Sequence, residues 1–222
     1  MSEPQARPIP GTLGTTTPSF PAFSPDSQSV AFFTGTGDQS IKKIAVSGGA
    51  GITICPATQP AGVSWDTGGI LFGQSGKGIV RVSENGGQPT VIAGVKSGEV
   101  AFGPQLLPGG EWVLFTIATA ATSDGWDKAQ IVVQSLKTAE RKTLITGGSD
   151  GRYLPTGHIV YALSGVLFAV SFDSRALTVT GGPVPILEGG VKRSNSGSLA
   201  TTHLSISGTG SLVFIPGFES FW

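Results

Sequence analysis

The sequence predicts an all-β fold assembled from a repeat. Three observations carry that reading: Gly and Pro punctuate every segment, an aromatic strand recurs at near-even spacing, and no window of 11 or more residues holds a 3.6-residue apolar period. The 34 glycines and 15 prolines among 222 residues would interrupt helices throughout the chain. Apolar runs recur between them, which separates the composition from collagen or a linker. At 39% hydrophobic residues, a chain of this size can bury a core without disulfide support.

The repeat emerges when the hairpins are aligned. Residues 23–32, 63–72, 106–115, 153–161 and 204–214 each run from an apolar strand, through a turn rich in Gly, Pro or Asp, into a second apolar strand. The closing aromatics Phe32, Phe72, Phe115, Tyr161 and Phe214 are separated by 40, 43, 46 and 53 residues. A third, alternating strand follows at 41–47, 78–83, 129–136 and 166–172. A polar or Gly-rich turn then leads to a short fourth strand at 51–55, 89–92, 141–145 and 184–187. Residues 131–136 lose strict alternation, as a strand covered on both faces does.

Four strands in each period of 40–50 residues make the blade of a β-propeller. The chain is expected to be one domain over residues 1–222, with blades at about 17–60, 61–98, 99–147 and 148–190. A partial fifth blade combines residues 200–216 with an N-terminal strand at 6–10. Two closures fit. The two ends meet and complete the fifth blade, or the chain is an arc of a six- to eight-bladed ring whose open edges need a partner or a second copy.

The turn Ser24-Pro25-Asp26 followed by Val30-Ala31-Phe32 resembles the repeat signature of TolB-like β-propellers. Residues 154–161 and 6–12 are similar to segments of the propellers that follow bacterial serine/threonine kinase domains. The resemblance covers residues 5–217. Ser27 stands where the family has Gly, and the third and fifth repeats lack the Asp. No glycine-rich phosphate loop, His-Arg-Asp or Asp-Phe-Gly motif is present, so the kinase itself is absent. The resemblance implies a bacterial sensor or scaffold propeller that binds a protein, a peptide or a small ligand.

Fourteen basic residues balance fourteen acidic ones, which leaves no electrostatic footprint for nucleic acid. No apolar stretch reaches 18 residues and residues 1–8 lack an apolar signal core, so neither membrane insertion nor a secretory leader is expected. The chain reads as cytoplasmic as encoded, or extracytoplasmic within a longer membrane-anchored protein. Cys55, the single cysteine, reads as a buried hydrophobe.

Candidate chemistry is sparse. Residues 147–151 match G-x-S-x-G around Ser149, but a hairpin follows where the nucleophile elbow requires a helix. Residues 40–43 match S-x-x-K on a strand. His158 and His203 are the only histidines, too few for a three-histidine zinc site, and no metal or cofactor is expected. Ser149, His158 and His203 are thus the catalytic candidates. Most Asp residues fall in turns, where they bond their own backbone. The beginnings of the inner strands should line the axis, which singles out Glu99, Arg152 and His203 as ligand contacts. Trp126, on the insertion 118–128, is either a further contact or packs back on its blade. The tail at 218–222 is aromatic and would dock on its own ring, on a second chain to form a homodimer, or on a continuation of the chain. A non-catalytic binding propeller is the leading expectation. The alternative is a propeller hydrolase of the esterase or lactonase class.

Overall fold

The computed structural model describes residues 7–12, 19–35, 37–119, 122–187, 204–206 and 212–215. Blade 1 comprises β1 (Ser19–Phe23), β2 (Ser29–Thr34), β3 (Ser40–Ala45) and β4 (Ile52–Pro56). Blade 2 comprises β5 (Ala61–Asp66), β6 (Gly69–Gln74), β7 (Gly78–Val82) and β8 (Thr90–Gly94). Blade 3 comprises β9 (Val100–Leu106), β10 (Trp112–Ala118), β11 (Gln130–Ser135) and β12 (Arg141–Thr146), with α1 (Ser123–Asp127) inserted before β11. Blade 4 comprises β13 (Ser149–Leu154), β14 (His158–Leu163), β15 (Val166–Asp173) and β16 (Thr178–Leu187). A two-stranded hairpin, β17 (Leu204–Ile206) and β18 (Leu212–Phe214), follows. All pairings are antiparallel between consecutive strands. Among the described residues no helix is long and apolar enough to cross a membrane.

The four predicted blades are present with small shifts of boundary. The largest shift is β16, which begins at Thr178 where the sequence suggests 184. The insertion 118–128 contains a five-residue helix where a loop was expected.

Local chemistry sets the turns. Asp26 Oδ1 accepts the Ser24 hydroxyl at 2.6 Å and Gln28 N–H at 3.0 Å. Asp173 Oδ1 accepts the N–H groups of Arg175 and Ala176 at 2.8 and 2.9 Å. These bonds hold both carboxyls below the usual carboxylate range and fix the chain reversal. Ser27 takes a φ of 59°.

The core lies between blades. Because side chains alternate along a strand, each blade's middle strands present one set of apolar residues forward and another backward. Phe72 packs with Ala31, Phe33 and Ile41 of blade 1. Phe115 packs with Leu71, Ile79 and Ala93 of blade 2. Tyr161 packs with Leu114, Ile131 and Val133 of blade 3. The closing aromatic of the repeat is therefore the group each blade drives into its predecessor, worth roughly 1.5–3 kcal/mol per buried side chain. Leu204, Ile206 and Leu212 pack against Val160 and Leu167, so the hairpin stacks on blade 4 where a fifth blade's inner strands belong.

Blade 1 is also buried on the side turned away from blade 2, where Val30, Phe32 and Ile44 are 6%, 4% and 2% exposed. The described part of the expected strand 6–10 forms no strand. Gly49 donates its N–H to Pro10 O at 3.1 Å, which seats residues 7–12 on the β3–β4 turn of blade 1. Among the described residues the β17–β18 sheet has two strands. The rest of the expected fifth blade, and the aromatic tail at 218–222, lie outside the described residues.

Each inner strand breaks register at the same point. The shifts fall between Ser19 and Ala22, Ala61 and Val63, Phe102 and Gln105, and Ser149 and Arg152. Each break contains a residue of positive φ: Phe20 (56°), Gly62 (73°), Gly103 (62°) and Asp150 (55°). These are β-bulges, which bend and twist a strand. The bulges of blades 2 and 3 touch, since a Cβ on Gly62 would lie 2.7 Å from Gly103 Cα. Gly62→Ala should destabilise the protein by about 1–3 kcal/mol, read as a lower urea midpoint. Gly94→Ala, where a Cβ meets nothing within 4 Å, should leave the midpoint almost unchanged.

Candidate ligand cleft at the ring axis

The meander topology places the first-to-second strand turns of every blade on one face of the ring. The second-to-third turns and the blade-to-blade connections lie on the other. On the first face a cleft of about 630 Å³ opens at the axis. It is lined by residues 66–67 of blade 2, 105–110 of blade 3, 153–155 of blade 4 and Ile206 of the hairpin.

Its wall is built by side chains that join blades. Gln105 donates from Nε2 to Tyr153 O at 3.0 Å and accepts Tyr153 N–H at its Oε1 at 2.8 Å. The amide thus replaces the missing ladder between two inner strands. The rim at Gly109 and Gly110 is bare backbone, with φ of 91° and 69° and open space where a Cβ would stand. Asp66 Oδ1 accepts Gly68 N–H at 2.6 Å, while Oδ2 is buried without a hydrogen-bond partner. Burial pushes the Asp66 carboxyl above the usual carboxylate range, partly offset by the Gly68 N–H and the Arg81 charge. Ser64 Oγ and Arg81 Nε, on the same face of blade 2, also lack partners.

The other end of the axis is apolar. Phe20 of blade 1, Phe102 of blade 3 and Trp126 of α1 stack edge to face, with centroids 6.2 and 5.9 Å apart. Ala61, Ala118 and Ala129 complete the cluster. Asp127 pins α1 to blade 4, its Oδ1 accepting Ser164 N–H at 3.1 Å and its carbonyl accepting Gly148 N–H at 3.0 Å.

These facts relocate the expected site. Trp126 is 1% exposed, so of its two expected placements the structure has it packed inward. The inner-strand beginnings of blades 1, 2 and 3 carry Phe20, Ala61 and Phe102, which contribute to this plug. Glu99 belongs to the junction of blades 2 and 3, where it accepts Lys96 N–H at 2.8 Å and lies 3.9 Å from Arg141. Arg141 is itself held over the Phe115 ring and hydrogen-bonded to Gln134 and Gly94 O. Arg152 pairs with Asp150 at 2.7 Å and donates to Gly103 O at 3.3 Å, clasping blade 4 to the bulge of blade 3. His203 lies outside the described residues.

Ser149 and His158 are not brought together. Ser149 is fully buried on β13, opposite Ala162, whereas His158 pairs with Leu154 at the far end of the hairpin. Ala162 lies four residue steps along the strand from His158, roughly 13 Å at about 3.3 Å per step. His158 faces Thr156, with Nδ1 3.2 Å from its hydroxyl. Cys55 is buried, which pushes its thiol up to about 11 and leaves it protonated near neutral pH. Among the described residues no three His, Cys, Asp or Glu side chains gather as metal ligands.

No protein-family model matches the chain, and no curated protein matches it in sequence. Solved structures match it in fold. Regucalcin from Agrobacterium tumefaciens, described as a calcium-binding protein, covers 94% of this chain and 68% of its own, with a TM-score of 0.63 and 13% identity. A gluconolactonase from Xanthomonas campestris covers 91% and 71%, with a TM-score of 0.67 and 10% identity. TolB from Acinetobacter baumannii covers 70% of this chain and 41% of its own, with a TM-score of 0.55 and 18% identity. The chain is a β-propeller. At these identities the likeness extends to fold alone, TolB-like repeats included.

Asp66 was visible in the sequence only as one Asp among several in turns. Its distinction is burial near Arg81, which comes from a different strand of the same blade. Since its folded pKa lies above 3.8, the fold disfavours the ionised form. That penalty is absent below pH 3.8 and grows as pH rises through the folded value. Asp66→Asn should therefore raise Tm at pH 7 more than at pH 3.5, as scanning calorimetry would show. An equal shift at both values would contradict the assignment.

Proposed function

We propose that the protein is a non-catalytic binding propeller that holds a protein, peptide or small ligand in the cleft at its axis. One observation carries the reading. The cleft combines apolar walls, a bare-backbone rim and a single carboxylate whose Oδ1 is held by one N–H alone. That is the composition of a recognition site, in which a few polar groups orient a largely apolar contact. A bacterial sensor or scaffold role, of the kind served by propellers that follow serine/threonine kinase domains, is supported by the resemblance at residues 6–12 and 154–161.

The alternative is a hydrolase of the esterase or lactonase class. It draws on the fold shared with the gluconolactonase from Xanthomonas campestris. Acyl transfer needs an exposed nucleophile within hydrogen-bond reach of a base. Ser149 is buried and its strand partner stands roughly 13 Å from His158, which favours binding over turnover.

Two experiments decide between these readings. In a screen of p-nitrophenyl esters the protein should give no turnover above background. Turnover abolished by Ser149→Ala, His158→Ala or His203→Ala would overturn the proposal. In a ligand-observed NMR screen of peptides and small molecules, hits on the native protein should be lost in Thr67→Trp, which fills the cleft from an exposed turn. Hits that survive that change would place binding elsewhere.

A further inference from the structure

Resting on the reading of the cleft as a binding site, we infer that it selects peptides carrying a Lys or Arg side chain beside an apolar residue, with the cation seated at Asp66. Among the described residues lining the cleft, Asp66 is the only one that carries a formal charge at neutral pH. Its Oδ1 accepts Gly68 N–H alone, in an exposed turn, and its Oδ2 is buried without a partner. A carboxylate oxygen has about two acceptor positions, so Oδ1 keeps one for a ligand. Arg81 is near enough to be felt electrostatically, yet it forms no ion pair with Asp66. The local field at the cleft mouth therefore favours a cation over an anion.

The walls explain the rest of the preference. Leu106, Leu154, Pro155 and Ile206 give an apolar surface to the cleft that Asp66 lines. The methylene stem of a Lys or Arg lies well along such a surface while its head reaches a carboxylate. An adjacent apolar side chain adds burial that a bare ammonium ion lacks. The open backbone of Gly109 and Gly110 lets a peptide main chain approach where a Cβ would obstruct it. A charge-assisted hydrogen bond in a partly desolvated cleft carries roughly tenfold in affinity.

The test uses the full chain and three capped pentapeptides that share a Leu-X-Pro-Leu-Ala frame, with X as Lys, norleucine or Glu. Binding is followed by calorimetry and by amide shifts at Thr67, Gly109 and Tyr153. The Lys peptide should bind about tenfold more tightly than the norleucine peptide, and the Glu peptide should bind more weakly still. In Asp66→Asn the Lys and norleucine peptides should become equal. Equal binding of those two peptides to the native protein, or Lys preference that survives in Asp66→Asn, would overturn the inference while leaving the cleft as a site. Lysine amide binding as tightly as the peptide would overturn the peptide assignment. No shift at the cleft with any probe would overturn the cleft reading and this inference together.

Discussion

The structure depends on the stacking of each blade's closing aromatic into the blade before it. A four-stranded antiparallel sheet has two faces, and neither is stable in water if both are apolar. Phe72, Phe115 and Tyr161 each resolve this by filling the space between two sheets, and Phe32 is buried on the first blade. The contact joins sheet to sheet, so the core is a series of clusters between blades with no single hydrophobic centre. The same logic accounts for the C-terminal hairpin. Leu204, Ile206 and Leu212 cover the forward face of blade 4, which would otherwise lie open.

Stacking of this kind brings the inner strands together at an axis, and the bulges decide what happens there. Bulges at Phe20, Gly62, Gly103 and Asp150 bend the four inner strands at equivalent points. Where two meet, only glycine fits, as Gly62 against Gly103 illustrates. Where the residue is Asp150, its carboxylate pairs with Arg152 and the guanidinium returns to Gly103 O. On one side of these bulges the axis is filled by Phe20, Phe102 and Trp126. On the other it opens into the cleft, with Gln105 and Tyr153 as a cross-blade wall. The asymmetry between a sealed end and an open end is the basis of the functional reading.

Much of the fold was legible in the sequence because its determinants are local. A Pro-Asp turn, the alternation of apolar residues and an aromatic every 40 to 53 residues all act within one hairpin. The candidate site was less legible because its determinants are relations between blades. Glu99 and Arg152 stand out in the sequence as polar residues near inner strands, but their partners Arg141 and Gly103 come from distant positions. Trp126 lies on an insertion, and only the location of Phe102 shows that the indole turns inward. Asp66 resembles the turn residues Asp26 and Asp173 in sequence, yet burial reverses the direction of its pKa. The described segment 7–12 lies on blade 1 through a contact of the same non-local kind.

The central claim is that the axis is plugged at the α1 end and open at the turn end. Hydroxyl-radical footprinting, read residue by residue by mass spectrometry, tests it most directly. The account predicts that Trp126 and Phe102 are protected while Tyr153 and Leu154 are modified, and that a cleft ligand protects the latter pair alone. Rapid oxidation of Trp126, or protection of Tyr153 and Leu154 in the free protein, would contradict it.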